Sequence, residues 1–265
     1  MLKYIIIIIQ NSLLFIKMSK SIKKRETPKT LDLIYDVQNK YELCIDEVGR
    51  GCLFGRTYIA SVILPKDGSF DGKDIKDSKK FSSKKKIKEV SDYIKQNALY
   101  WHIESVESGV IDEINILQAV MRGMHACIKN MIEKMKKDGK LNNQLETGYK
   151  HELMAIIDGN YFNPYRTFDE ASETIKELPA VTLEQGDAKY MGIAAASILA
   201  KVARDEYIID LCGQYPSLIE KYGLDTNVGY GTKKHLDGIK EYGITQWHRK
   251  SFGICKISVC NDFTM

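Results

Sequence analysis

Three short apolar runs in this chain end at or near carboxylates, and that recurrence limits the fold more than any other feature. Leu43-Cys44-Ile45 stops at Asp46-Glu47, Leu153-Met154-Ala155-Ile156-Ile157 stops at Asp158, and Ala180-Val181-Thr182-Leu183 leads to Asp187. Each run has the length and residue types of a buried strand. A carboxylate directly after such a run is costly unless it is solvated or paired with a cation. Strand ends also carry side chains from a rigid scaffold into a cleft. Together the three point to a carboxylate cluster, whose oxygens suit Mg²⁺ or Mn²⁺. Three ordinary solvated strand ends remain the competing reading on pattern alone.

Helical periodicity falls between the strands. Tyr58-Ile59-Ala60-Ser61-Val62-Ile63-Leu64 follows Gly49, Gly51 and Gly55, which predicts two strands joined by a glycine-rich turn. Ser82 offers an N-cap to a helix with Ile87, Val90 and Ile94 on one face. Leu99-Tyr100-Trp101-His102-Ile103 reads as a strand. A longer helix then carries Ile114, Leu117, Met124, Ile128 and Met131 as a core stripe. Residues 136–150 are polar and aperiodic, as a surface loop would be, and residues 193–211 form an alanine-rich helix. The fold class is therefore α/β, a mixed sheet flanked by helices, with a helical C-terminal part. Residues 1–40 read as an extension, 41–253 as the catalytic domain and 254–265 as a short tail.

With 265 residues, 44% of them hydrophobic, the chain can bury one full core. Its net charge of +4 permits a polyanionic partner without demanding one. Cys44, Cys52, Cys127, Cys212, Cys255 and Cys260 form no C-x-x-C pair. That spacing argues against structural zinc, and scattered thiols fit a reducing, cytoplasmic setting. The N-terminal run Tyr4-Ile5-Ile6-Ile7-Ile8-Ile9 is broken by Gln10-Asn11-Ser12 and is too short for the roughly 20 apolar residues of a spanning helix. An unstructured extension, an interfacial or partner-binding segment and a signal peptide all stay open for it. Met18 offers a second candidate start. No stable membrane association is expected.

The most specific signal is Asp46-Glu47-Val48-Gly49-Arg50-Gly51. Adjacent residues on an extended strand point to opposite faces, but a strand broken at the glycines lets both carboxylates turn toward one site. Gly-Arg-Gly presents unobstructed backbone N–H groups to a sugar or phosphate. A glycine hairpin with a solvated arginine accounts for the same pattern. Further motifs follow in chain order: Lys76-Asp77-Ser78-Lys79-Lys80-Phe81-Ser82, Asp158-Gly159, Gly186-Asp187, the alanine-rich stretch from Ile193 to Asp205, Gly229-Tyr230-Gly231-Thr232 with His235, and His248-Arg249-Lys250-Ser251-Phe252. This ordered set, spanning residues 41–253, resembles ribonuclease HII.

The resemblance implies a single-subunit endonuclease acting on RNA–DNA hybrids and on single ribonucleotides in duplex DNA, by two-metal-ion chemistry with Mg²⁺ or Mn²⁺. It implies Asp46, Glu47, Asp158 and Asp187 as catalytic metal ligands. It places Gly49, Arg50 and Gly51 at the ribose 2′-hydroxyl, Tyr230 beside them, and Lys79 and Lys80 on backbone phosphate. Arg204-Asp205 reads as a structural ion pair or hydrogen-bond anchor, and His235 as either a group near the metal or a structural hydrogen-bond partner. His248, Arg249 and Phe252 would lock the C-terminal part onto the domain, and Lys84-Lys85-Lys86 reads as a solvated helix start. Cys52, Phe54 and Arg56 stand where family members commonly carry Pro, Ala and Pro. Asp158 and Asp187 are further apart than in bacterial relatives, as a surface insertion over residues 167–176 would make them. The C-terminus shows no glutamine-plus-double-aromatic clamp peptide. Two alternatives remain: a ribonuclease HIII-like hybrid nuclease, whose motif lacks the Arg-Gly, and a non-catalytic nucleic-acid-binding relative, which would need a broken carboxylate set.

Overall fold

The computed structural model describes residues 30–141, 149–169 and 173–261. Five strands form a mixed sheet in the order β3-β2-β1-β4-β7. They are β1 (Asn39–Val48), β2 (Thr57–Ile63), β3 (Tyr100–Val106), β4 (His151–Asp158) and β7 (Ala180–Leu183), while β5 (Arg166–Asp169) and β6 (Thr174–Glu177) form a separate hairpin. β2 runs antiparallel to β1 and β3, whereas β4 runs parallel to β1 and β7 parallel to β4. The β5–β6 hairpin lies within the expected insertion and exposes Phe168 and Ile175.

Strand alternation sorts the core into two layers. Leu43, Ile45, Ala155 and Ile157 face α2 (Ser108–Lys137), packing on Met124, Ile128 and Met131. Ala60 and Val62, from the opposite face of the sheet, meet α1 (Lys84–Asn97) and α3 (Met191–Gln214). α3 lies close to the sheet because it presents almost no side-chain bulk: Ala194, Ala195, Ala196 and Ala200 are fully buried. A Cβ at Gly192 would come within 2.4 Å of Cys44 Sγ. The stripe in α2 is core, as expected, but Asn115 interrupts the helix with φ 66°. Its side chain accepts from the Gln118 N–H and so starts the second segment as a cap.

Four expectations need correction. Ser83, not Ser82, caps α1, because the hydroxyl must reach the N–H three residues on, here Lys86 at 3.2 Å. β1 breaks at Gly49, as expected, but Asp46 and Glu47 lie ahead of that break, so both are strand residues. The loop expected over 136–150 is shorter at its start, since α2 continues to Lys137, and residues 142–148 lie outside the described residues. The organised chain also begins before Tyr41 and continues past 253. Asp32 exchanges backbone hydrogen bonds with Lys189 and Met191, and Ile244 does so with Val259 and Asn261. The expectations for residues 1–29 fall outside the described residues.

The helical C-terminal part comprises α4 (Ser217–Tyr222), α5 (Leu224–Asn227) and α6 (Lys233–Tyr242). Phe54, from the β1–β2 connection, plugs into it beside Tyr222 and Ile239. Asp112 in α2 accepts from the Lys250 and Ser251 N–H groups, both at 2.8 Å. All six cysteines are free. Among the described residues, no helix is long and apolar enough to cross a membrane.

The segment ahead of β1 is tied down by one buried carboxylate. Glu42 accepts from the Tyr35 and Asp36 N–H groups at 2.9 and 2.8 Å and from the Lys66 ammonium at 2.9 Å. Removing one partner of a buried ion pair strands the other, so Glu42→Ala is expected to cost about 3 kcal/mol in urea denaturation.

Candidate active site

The parallel β1–β4 register decides where the first carboxylates meet. Ile45 pairs with Ile157, so Asp46 and Asp158 come one residue later on neighbouring strands. Both alternate onto the α3 face, with Cys44 and Ile156. Asp187 arrives from the 3₁₀ turn Gly186–Ala188 just after β7. That turn is clipped to the site, because the Gly186 N–H donates to Asp158 Oδ1 at 2.7 Å. Glu47 adjoins Asp46, whose Oδ1 accepts the Glu47 N–H at 2.7 Å. The predicted carboxylates therefore form a chain along one end of the sheet, each feeling its neighbour's charge.

Their electrostatics are strained. Burial, followed by the charges of Glu47 and Asp158, raises the Asp46 pKa well above the usual carboxylate value. The Ser197 hydroxyl on α3 opposes this by hydrogen-bonding Asp46, and Ser78 Oγ stands 3.0 Å behind Ser197 Oγ. Burial lifts Glu47 to about 7, against the pull of Arg50 and with a further push from Asp158. Burial and the charge of Asp187 raise Asp158, opposed by the Gly186 N–H and Lys79. The Lys79 ammonium is 3.5 Å from Asp187 Oδ2. Against the cost of partial burial, the Asp187, Asp77 and Asp46 carboxylates raise its pKa. One exposed lysine is thus the cation nearest Asp187, while Lys80 is exposed beside it.

The Gly49–Gly51 turn stands next to this chain. Arg50 is half exposed and lies 3.6 Å from Glu47 Oε1. Gly49 is required twice over, by its φ of 91° and because a Cβ there would fall 2.4 Å from Arg204 Nε. Arg249 holds the turn from behind, donating to the carbonyls of Gly55 at 2.9 Å and Arg50 at 3.0 Å. The Leu53 N–H donates to the Gly229 carbonyl at 2.9 Å, which brings Tyr230 alongside, 43% exposed.

Tyr230 is braced by two histidines whose tautomers follow from their partners. The Thr245 N–H donates to His248 Nδ1 at 2.9 Å, so His248 carries its proton on Nε2. That proton goes to His235 Nε2 at 3.1 Å, leaving His235 Nδ1–H to donate to the Tyr230 carbonyl at 2.9 Å. Burial first, then the repulsion a protonated His235 would exert, holds His248 down to about 3, and burial lowers His235 as well. His235 is therefore a structural hydrogen-bond partner. Of the two structural roles expected for Arg204-Asp205, the hydrogen-bond anchor is the one found and the mutual ion pair is not: Asp205 takes Lys201 at 2.7 Å, while Arg204 is fully buried, donates to the Phe54 carbonyl and lies 5.7 Å from the Tyr230 ring. Neighbouring helix residues point apart, whereas residues three or four apart meet, as Lys201 and Asp205 do.

Sequence reasoning passed over Ser78, Ser197 and Arg204 as site residues. Their only signal was membership of the motifs, since a serine or arginine in a helix does not declare which strand it will meet.

The donor set is all oxygen, as Mg²⁺ or Mn²⁺ requires. Among the described residues, no three His, Cys, Asp or Glu side chains stand close enough to enclose an ion unaided.

A ribonuclease HII family model matches residues 43–255. The ribonuclease HII of Parabacteroides distasonis is 40% identical over 220 residues, 83% of this chain and 94% of that protein. The ribonuclease H2 of Pyrococcus horikoshii superposes with a TM-score of 0.54 at 20% identity, covering 82% of this chain and 96% of that one. A Bst ribonuclease HIII crystallised with Mn²⁺ does so with a TM-score of 0.50 at 14% identity, covering 85% and 80%. Family match, relative and sheet topology agree: this chain belongs to the ribonuclease HII family of enzymes.

Proposed function

We propose that the chain hydrolyses the RNA strand of RNA–DNA hybrids and cuts on the 5′ side of single ribonucleotides in duplex DNA, leaving a 3′-hydroxyl and a 5′-phosphate. The observation that carries this reading is the β1–β4 register, which places Asp46 and Asp158 one residue beyond the Ile45–Ile157 pair, with Glu47 and Asp187 adjoining, beside an open Gly49–Arg50–Gly51 turn. Asp46 feels the charges of both Glu47 and Asp158, and with them and Asp187 it would hold the divalent ions. Divalent ions held there would activate the attacking water and stabilise the leaving oxygen. The Mn²⁺ bound by the ribonuclease HIII of the same fold supports that choice of cofactor.

The chain's own residues do the rest. Lys79 and Lys80 meet backbone phosphate, so binding weakens with salt. The Gly49–Gly51 turn reads the 2′-hydroxyl, the group that separates ribose from deoxyribose, and needs no base contact. Tyr230 packs beside the same sugar. The turn's Arg-Gly favours this reading over a ribonuclease HIII-like one, and the intact carboxylate set favours it over a non-catalytic binder.

Incubation of labelled duplexes, hybrid or single-ribonucleotide, with Mg²⁺, Mn²⁺ or chelator tests the activity directly. Asp46→Asn is expected to abolish cleavage of both while sparing duplex binding; retained activity removes its assigned role. Tyr230→Ala should slow cutting at the single ribonucleotide, and an unchanged rate there takes Tyr230 out of the site. The raised carboxylates also set a pH dependence. Asp46 and Glu47 hold protons more tightly folded than unfolded, so their contribution is full below the unfolded pKa and is lost as pH rises through the folded value. For Glu47 that window runs from 4.5 to about 7. Without divalent ions, Glu47→Gln should therefore be more stable than wild type at about pH 8, by on the order of 1–3 kcal/mol. The gap should close toward pH 4.5, and Mn²⁺ should raise the wild-type melting temperature more than the variant's.

A further inference from the structure

Two arginines are fully buried behind the Gly49–Gly51 turn, and hydrogen bonding explains only one of them. Arg249 donates from two nitrogens to the carbonyls of Gly55 and Arg50, at 2.9 and 3.0 Å, with Nη2 left over. Arg204 makes one long hydrogen bond, from Nη2 to the Phe54 carbonyl at 3.3 Å. Its Nε and Nη1 are buried with no hydrogen-bond partner among the described residues. A guanidinium held in this way destabilises the fold, since a buried donor without an acceptor gives up its hydration for nothing. Packing does not ask for it either. A methionine would fill much of the same space with neither charge nor N–H.

What the guanidinium does touch is the pair of segments assigned to the ribose. A Cβ at Gly49 would fall 2.4 Å from Arg204 Nε, and one at Gly229 would fall 3.1 Å from Nη2. Nε therefore lies against the Gly49 backbone and Nη2 against that of Gly229, where φ is 91° and 87°. The Tyr230 ring centroid is 5.7 Å from Cζ, within reach of a cation–π contact. A planar, rigid group thus stands as a spacer between two stretches of chain that are remote in sequence. We propose that Arg204 is a positioning residue for ribonucleotide recognition, whose guanidinium, wedged between Gly49 and Gly229, sets the separation of the Gly49–Gly51 turn from Tyr230 at the expense of stability. Arg204 is fully buried and does not touch the substrate. A flexible side chain in its place lets the two segments drift, and a sugar held between them loses more from a small displacement than phosphates met by long exposed lysines. The assignment rests on the ribose-reading role of the turn and Tyr230 proposed above.

The test makes two measurements on the full chain. One is the melting temperature. The other is the ratio of affinities, by fluorescence anisotropy in chelator, for a DNA duplex with one embedded ribonucleotide and for the all-DNA duplex of the same sequence. Arg204→Met should melt at or above the wild-type temperature. It should also lose about fivefold of the preference for the ribonucleotide duplex, while its affinity for the all-DNA duplex holds. Arg204→Lys keeps a cation and a donor for the Phe54 carbonyl, so it should recover part of that loss. A methionine variant that melts well below wild type, or does not fold, would make Arg204 an ordinary structural residue and overturn the inference. An unchanged preference, an equal loss on both duplexes, or a lysine no better than methionine would overturn it too, and leave the ribose-reading role of the turn standing. Wild type binding the two duplexes alike would sink that role, and this inference with it.

Discussion

The close seating of α3 on β1 is the contact on which the site depends. Alanines at 194–196 and 200, with Gly192, remove the bulk that would hold a helix away from a sheet at the usual spacing. The same helix then delivers Ser197 to Asp46 and, two turns on, Arg204 to the underside of Gly49. Any larger residue on that face would separate carboxylates and turn together. Packing and chemistry share one interface here, which is why the helix is both core and scaffold.

Against that close packing stands the mutual repulsion of the carboxylates. Asp46, Glu47 and Asp158 are pushed toward protonation by burial and by a neighbouring carboxylate, Asp187 in the case of Asp158, with Lys79, Arg50, Ser197 and the Gly186 N–H as partial relief. Stability alone would not retain such an arrangement, since apolar replacements of similar volume cost less than a crowded buried charge. Sites that bind cations keep charge of this kind because the ion supplies what the protein leaves out.

The helical C-terminal part is a brace for the Gly49–Gly51 turn. Phe54 anchors it, Asp112 clasps the Lys250–Ser251 backbone, and Arg249 reaches back to the carbonyl of Arg50. The His248–His235 relay ends on the Tyr230 carbonyl, so the position of Tyr230 is set by groups up to eighteen residues later in the chain. Such a relay tolerates only one proton arrangement, and that fixes orientation as well as distance.

What the residues alone determined was the list of parts. Strand runs ending in acids, a glycine-flanked arginine and ordered motifs were enough to name Asp46, Glu47, Asp158 and Asp187, the mixed sheet and the family, because periodicity and turn chemistry are local properties. The boundaries slipped where local signals tie: Ser82 and Ser83 are equal as caps until one hydroxyl reaches an N–H, and a glycine after Val48 does not say whether the strand ends before Asp46 or after Val48. Tertiary structure alone decided which groups meet across long stretches of chain: Ser197 on Asp46, Leu53 on Gly229 and Arg249 on Arg50. Those pairings depend on the register between β1 and β4 and on how near α3 can approach, and neither quantity is written in any one segment.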